Sequence, residues 1–282
     1  MTLDNSWFSE PQPDSGTAFS LKISEKLHEE QSQFQKIEIY QTTDFGRLMV
    51  IDGYIMLTDR DNFIYHEMIT HPVLFTHPRP QNVLIIGGGD CGTLREVLKH
   101  DSVVSAQQVD IDERVTRLSE KYFPALCGSN SDPRAELLFE DGINWVRDAE
   151  AESYDVIIVD STDPIGPGEV LFSTEFYQNC RRILKQDGMI VQQSESPLLH
   201  LDSILLPMHE RMHTAGYKYT QTLGFPQCVY PSGWWSCTIA SHHPLDKFRE
   251  SDALSKPFDT NYYNAAIHQA ATALPEFMLK QK

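Results

Sequence analysis

The stretch Asn82-Val83-Leu84-Ile85-Ile86-Gly87-Gly88-Gly89-Asp90-Cys91-Gly92 decides the fold. A short apolar run enters a glycine cluster in which Gly87, Gly89 and Gly92 keep GxGxxG spacing. A buried strand followed by such a turn lets backbone approach a ligand closely, because glycine has no Cβ and tolerates positive φ. Thr93 to His100 then has helical character, Val103 to Val109 reads as a second strand, and Asp110 stands at its end. An acid there can accept hydrogen bonds from both hydroxyls of a ribose. A glycine turn that merely packs a helix on a sheet is the plainer alternative, and the strand, helix and acid together count against it.

Outward from this unit the alternation continues. Glu113 to Tyr122 is a predicted helix, Ala135 to Phe139 a strand, Ile143 to Ala149 a helix and Tyr154 to Val159 a strand. Thr174 to Leu184 and Gly188 to Gln192 supply a further helix and strand. Strands separated by helices imply βαβ units and a parallel sheet covered on both faces. Tyr217 to Leu223 and Trp234 to Ala240, divided by Gly224, Pro226 and Pro231, read as an antiparallel pair at one edge. Upstream the texture differs. Phe34 to Tyr40 alternates, Phe34, Ile37 and Ile39 against Gln35, Lys36 and Glu38, Leu48 to Ile51 is apolar, and Asp52-Gly53 marks a hairpin into Tyr54 to Thr58. Glu67 to Phe75 has helical spacing despite Pro72. The expected fold is α/β, a Rossmann-like sheet over residues 76–282 preceded by a small antiparallel β domain over residues 1–75, with residues before Phe34 read as a polar lead.

Composition narrows the function. With 23 Lys and Arg against 40 Asp and Glu, the 282-residue chain has a net charge of −17. Nucleic acid is therefore not an expected partner, since phosphate binding rests on clustered cations. An anionic membrane surface is disfavoured for the same reason, and no apolar run approaches the ~20 residues of a bilayer span. The segment bearing Asp4, Glu10, Pro11, Pro13 and Asp14 has no apolar h-region, so no signal peptide is expected. Cys91, Cys127, Cys180, Cys228 and Cys237 form an odd set without a CxxC pair, which points to a reducing compartment and a cytoplasmic protein. No metal site is expected: the histidines of His66-Glu67-Met68-Ile69-Thr70-His71 are five apart, where HExxH places them four apart on one helical face.

Four further acidic positions, Asp90, Asp141, Asp160 and Asp163, bear on the ligand. An inward-facing Asp90 would oppose a pyrophosphate, since like charges at ~4 Å cost about 4 kcal/mol at an effective dielectric near 20. It would favour a cationic adenosyl sulfonium; helix N-capping is its other reading. Asp141-Gly142 at the end of the third strand is a corner that can meet an adenine edge, or a common turn. Tyr154 to Val159 delivers Asp160 to the carboxyl end of its strand, where open α/β sheets form their ligand crevice. The loop Asp160-Ser161-Thr162-Asp163-Pro164-Ile165-Gly166-Pro167-Gly168 presents two acids in a stiff setting, and paired acids call for a cation between them. Solvated turn aspartates are the alternative. Tyr230, before Pro231-Ser232-Gly233, can hang over such a pocket or fill the core; Trp234 and Trp235 read as strand packing and the remaining cysteines as apolar fillers.

GGGDCGTLREVLKH (Gly87 to His100), DSTDPIGPGE (Asp160 to Glu169), FIYHEM (Phe63 to Met68) and YYNAAIHQAATALPEF (Tyr262 to Phe277) closely resemble the spermidine synthase family, the polyamine aminopropyltransferases. The resemblance runs from Trp7-Phe8 to Phe277 and implies a small N-terminal β domain and a methyltransferase-like Rossmann domain. It implies transfer of the aminopropyl group of decarboxylated S-adenosylmethionine to putrescine, giving spermidine and methylthioadenosine, in a homodimer or homotetramer. The nucleoside is then a co-substrate, and no cofactor is implied. By position Asp160 matches the catalytic base beside Tyr65, Asp163 a diamine ligand, and Asp90 the acid meeting the aminopropyl ammonium. Asp110 matches the ribose acid, where many relatives carry Glu, and Asp141 and Gly142 the adenine corner with Pro167 beside it. Gln35, His66, Gln193 and Tyr230 match further substrate contacts, His66 standing where relatives carry His or Gln. Cys91 replaces a usual glycine, and a positive φ there would strain it by about 1–2 kcal/mol. The competing readings are a methyltransferase using intact S-adenosylmethionine and a non-catalytic polyamine-binding protein.

Overall fold

The computed structural model describes residues 3–162 and 166–280. Two sheets carry the fold. The first is an antiparallel meander in the order β1(Trp7–Gln12), β2(Thr17–Gln31), β3(Lys36–Thr42), β4(Arg47–Ile51), β5(Tyr54–Thr58). Its first two strands lie in the segment read as a polar lead. β2 is 15 residues long; Phe19, Leu21 and Ile23 alternate with Ser20, Lys22 and Ser24 and pack against Tyr40, Leu48 and Val50, while its charged second half keeps only Leu27 on a core and is held mainly by pairing with β3. The third strand starts later than expected. Phe34 precedes it and is 47% exposed, whereas Glu38 is buried and accepts from Tyr40 Oη and Lys26 Nζ.

Helix α1(Asn62–Thr76) follows. The sequence grouped residues 62–75 with the β unit, but Met68, Ile69, Val73 and Leu74 share a core with Val83, Ile85, Val156 and Ile158 of the second sheet. The helix therefore belongs to the larger layer, and the division falls near residue 60. Every residue from Tyr65 to Phe75 is buried, which explains why no apolar stripe singles out one face. Pro72 sits inside it without a break. Proline lacks the N–H that would bond Met68 O, and the Cys237 thiol approaches that carbonyl at 3.5 Å instead.

The chain then builds β6(Asn82–Gly87), α2(Gly92–Leu98), β7(Ser105–Val109), α3(Glu113–Tyr122), β8(Ala135–Leu138), α4(Gly142–Asp148), β9(Tyr154–Asp160), α5(Thr174–Ile183), β10(Leu184–Gln193), α6(Leu206–Thr214), β11(Tyr219–Pro226) and β12(Trp234–Ser241). The seven-stranded sheet runs β11-β12-β10-β9-β6-β7-β8. Its β8-β7-β6-β9-β10 part is parallel, and β12 and β11 pair antiparallel at the edge as expected. The chain leaves β6 toward β7 and β8 and returns on the other side as β9. That reversal opens a crevice beyond the carboxyl ends of β6 and β9, and register places Gly87 directly beside Asp160 there. No helix among the described residues is long and apolar enough to cross a membrane.

Candidate active site

The glycine turn and the end of β9 are in direct contact. Gly88 N donates to Asp160 O at 2.8 Å. Gly87 adopts φ 81°, and a Cβ there would lie 2.2 Å from Asp160 O, so this position admits glycine alone. Cys91 does take positive φ, 68°, and its buried thiol lies 3.6 Å from Gly89 O. The strain anticipated for a side chain at this position is present, at about 1–2 kcal/mol.

Three consecutive residues of α1 serve three directions, as a 100° step per residue dictates. Tyr65 faces the crevice and donates its hydroxyl to Asp160 Oδ1 at 2.6 Å. His66 lies behind Asp90, its Nε2 3.2 Å from Asp90 Oδ2. Glu67 turns away and accepts from the backbone N–H groups of Asn261, Tyr262 and Tyr263 at 2.7–2.8 Å, clamping the C-terminal segment onto the helix. His66 fits only because residue 92 is glycine; a Cβ there would meet the imidazole at 2.2 Å.

These groups open on a cavity of about 400 Å³, within the range of small-molecule sites. Its floor is Gly87 to Asp90, Asp110, Asp141, Gly142 and Asp160 from the large sheet, and its roof is Glu10, Gln35, Asp52 and Ile55 from the small one. Tyr65, Gln193, Tyr230 and Trp235 close the side. Six carboxylates line it, those of Glu10, Asp52, Asp90, Asp110, Asp141 and Asp160, and among the described lining residues there is no lysine, arginine or histidine.

The acids are not equivalent. Burial raises Asp160 above the usual carboxylate range, and the neighbouring Asp90 charge adds to this. Burial acts on Asp90 in the same sense, but His66 and the Gly92 N–H, 2.6 Å from Asp90 Oδ1, hold it low. Asp90 in turn raises His66 against the burial that would lower it. Asp110 is pushed up to about 6, chiefly by burial, although it accepts from Asp112 N at 2.8 Å. Burial lifts the Tyr65 phenol well above its ordinary value, so it acts as a donor.

Most predicted positions meet at this cavity: Gln35, Tyr65, Asp90, Asp110, Asp141, Gly142, Asp160, Gln193 and Tyr230 all line it. Asp90 reconciles its two readings, since it accepts from the first turn of α2 while facing the cavity. Asp141 is likewise a cap, taking the N–H of Ile143 at 2.8 Å at the start of α4. Gln35 reaches across the sheets to Asp112 Oδ2 at 3.0 Å. Tyr230 donates to Met56 O at 2.5 Å, and Gln193 Nε2 to Glu195 Oε1 at 3.1 Å. His66 departs from expectation. It is buried behind Asp90 and does not line the cavity, so its influence on a ligand passes through that carboxylate. Asp163 and the side chain of Pro167 lie outside the described residues. Trp235, read as strand packing, is buried in β12 and also forms cavity wall.

Two residues escaped the sequence reading. Glu10 was lost in the polar lead, yet it is buried, accepts from Ile55 N at 2.6 Å and lines the cavity from the small sheet. Thr93 donates to Asp160 Oδ2 at 2.6 Å, and nothing local distinguishes it from any helix-start threonine.

Residues 62–250 match the spermine/spermidine synthase domain and residues 6–59 the spermidine synthase tetramerisation domain. The polyamine aminopropyltransferase of Thioalkalivibrio sulfidiphilus is 66% identical over 282 residues, spanning 100% of this chain and 99% of that protein. A crystal structure of spermidine synthase in complex with the transition-state analogue AdoDATO superposes with a TM-score of 0.94 at 37% identity, covering 100% of this chain and 96% of that one. Spermidine synthase from Thermotoga maritima gives 0.92 at 36%, covering 100% and 95%. With a site built at the switch point of a mixed sheet and both domains matched in order, this chain belongs to the spermine/spermidine synthase family and is a transferase of the polyamine aminopropyltransferase type.

Proposed function

We propose that the enzyme transfers the aminopropyl group of decarboxylated S-adenosylmethionine to putrescine, giving spermidine and methylthioadenosine. The observation that carries this reading is the cavity wall, six carboxylates with no basic side chain among its described residues, which suits two cationic reactants and opposes an anionic one. Asp110 would accept the ribose hydroxyls, and Asp141 and Gly142 would meet the adenine with Pro167 nearby. Asp90 would hold the aminopropyl ammonium. The acceptor would lie between Asp160, Tyr65, Gln193 and Tyr230, with Asp163 and Gln35 as further contacts and Glu10 receiving its second ammonium.

A primary amine is protonated at neutral pH, so it needs a carboxylate to orient it and receive its proton. In the displacement the nitrogen lone pair forms the N–C bond, and the C–S pair departs onto sulfur as a neutral thioether. Asp160 takes one proton from the ammonium beforehand, which frees that lone pair, and the product nitrogen carries the remaining positive charge as a secondary ammonium. A neutral thioether leaves without Lewis-acid help, so the donor is a co-substrate and no cofactor enters this scheme. Attack is in line and single, and methylthioadenosine released in a burst without diamine would contradict it. The matched tetramerisation domain favours a homotetramer over a homodimer, and five unpaired cysteines suit the cytoplasm.

An acceptor panel of putrescine, cadaverine, spermidine and agmatine, read by methylthioadenosine formed from the decarboxylated donor, tests the assignment. Turnover greatest with putrescine is expected. Methyl transfer from intact S-adenosylmethionine without methylthioadenosine would establish the methyltransferase reading; diamine binding without product would establish a binding protein.

Asp110 makes nucleoside affinity depend on pH. Its carboxyl titrates at about 6 in the free site, and ribose hydroxyls bind the ionised form, so binding releases a proton below that value and weakens as pH falls. Methylthioadenosine affinity measured calorimetrically should drop ~10-fold between pH 7 and pH 5. Asp110→Asn should flatten that dependence; an unchanged slope would remove Asp110 from the ribose.

A further inference from the structure

We propose that Thr93 is a positioning residue for the reaction, holding Asp160 ionised and fixed in rotation so that it can receive the acceptor's proton. The inference rests on the reading of Asp160 as the base and extends it. Both carboxylate oxygens of Asp160 carry a hydroxyl donor, Tyr65 on Oδ1 and Thr93 on Oδ2, each at 2.6 Å. Two donors on opposite oxygens fix the plane of the carboxylate, and each oxygen keeps a second lone pair for an amine.

The surroundings of Asp160 explain why two donors are needed. Asp90 and Asp110 are like charges from the glycine turn and the end of β7, and both disfavour a second anion beside them. Tyr65 and His66 face it from α1, the phenol as donor and the imidazole through Asp90. Burial adds to the pressure toward the neutral acid. Hydrogen bonds to the ionised form oppose that pressure, and Thr93 supplies one of them from a side chain that is itself 0% exposed. Because Thr93 sits in the first turn of α2, one residue after Gly92, it ties the base on β9 to the turn that carries Asp90. A hydroxyl also accepts, so Thr93 can turn to accept a hydrogen bond from Asp160 Oδ2 once that oxygen is protonated, which a methyl cannot do.

Thr93→Val keeps the shape and removes the hydroxyl, and Thr93→Ser restores it. The expected result is an acid limb of the kcat/KM profile for putrescine displaced upward by about one pH unit in Thr93→Val. In the same variant kcat should fall ~3–10-fold, KM for the decarboxylated donor should stay within ~2-fold, and Thr93→Ser should return the limb to its original position. Thr93→Ala gives the same readings should the valine variant melt below the assay temperature. An acid limb unmoved in both variants overturns the role of Thr93. Asp160→Asn separates the two ideas: full activity there overturns Asp160 as base, whereas an inactive Asp160→Asn beside an unmoved limb overturns Thr93 alone.

Discussion

Asp160→Asn is expected to lower turnover by about 10²–10⁴-fold, the scale on which removing a general base acts. The amide is nearly isosteric, so it can still accept one hydroxyl from Tyr65 or Thr93, and the acceptor can still enter. What it cannot do is take a proton from the acceptor's ammonium and so free the lone pair that attacks. Stability should move the other way. The carboxylate is buried beside Asp90, and both circumstances already raise it toward its neutral form. Replacing it by a neutral group removes a like-charge contact and a desolvated anion, so the melting temperature should hold or rise by a few degrees. Methylthioadenosine formation at saturating donor and putrescine, with a thermal melt alongside, reads both. Unchanged turnover would mean that the proton leaves by another route and that Asp160 only orients the amine.

Asp90→Asn should weaken the decarboxylated donor by roughly 10²-fold and narrow discrimination against intact S-adenosylmethionine by a similar factor. A unit charge at ~4 Å contributes about 4 kcal/mol at an effective dielectric near 20, and screening in an open site reduces this. The two ligands differ by a carboxylate beside the ammonium, so in the proposed role Asp90 would attract one and oppose the added charge of the other. The substituted side chain would keep the Gly92 N–H bond through its amide oxygen, leaving the turn intact. His66, no longer beside an anion, would lose the influence that raises it. Binding of both ligands to wild type and variant by calorimetry decides the matter. An equal change for the two ligands would show that Asp90 shapes the turn without selecting charge.

The alternation of apolar runs and helical spacing from Asn82 onward was legible because a parallel sheet buried on both faces demands continuous apolar strands. Leu84, Ile85, Ile157 and Ile158 satisfy that locally and are wholly buried. For β2 the signal was present but short: Phe19, Leu21 and Ile23 alternate with Ser20, Lys22 and Ser24 and pack against Tyr40 and Val50, whereas the charged half that follows keeps only Leu27 on a core and hides the strand. Helix α1 was only half visible, since burial all round erases the stripe that marks a surface helix. Asp90, Asp110, Asp141 and Asp160 stood out because each ends a strand or turn at the same edge. Glu10 did not, because its partner Ile55 is remote in the chain.

By itself the sequence determined the sheet, the glycine turn and the excess of acids at strand ends, all of which are written in near neighbours. The tertiary structure decided which of those acids share one cavity, that Glu10 joins them from the other sheet, and that His66 stands behind Asp90. It also decided that Tyr65 and Thr93 each occupy one oxygen of Asp160. Charge and periodicity are properties of a segment; hydroxyl-to-carboxylate contacts across 95 and 67 residues are made only when separate strands and helices close on one another.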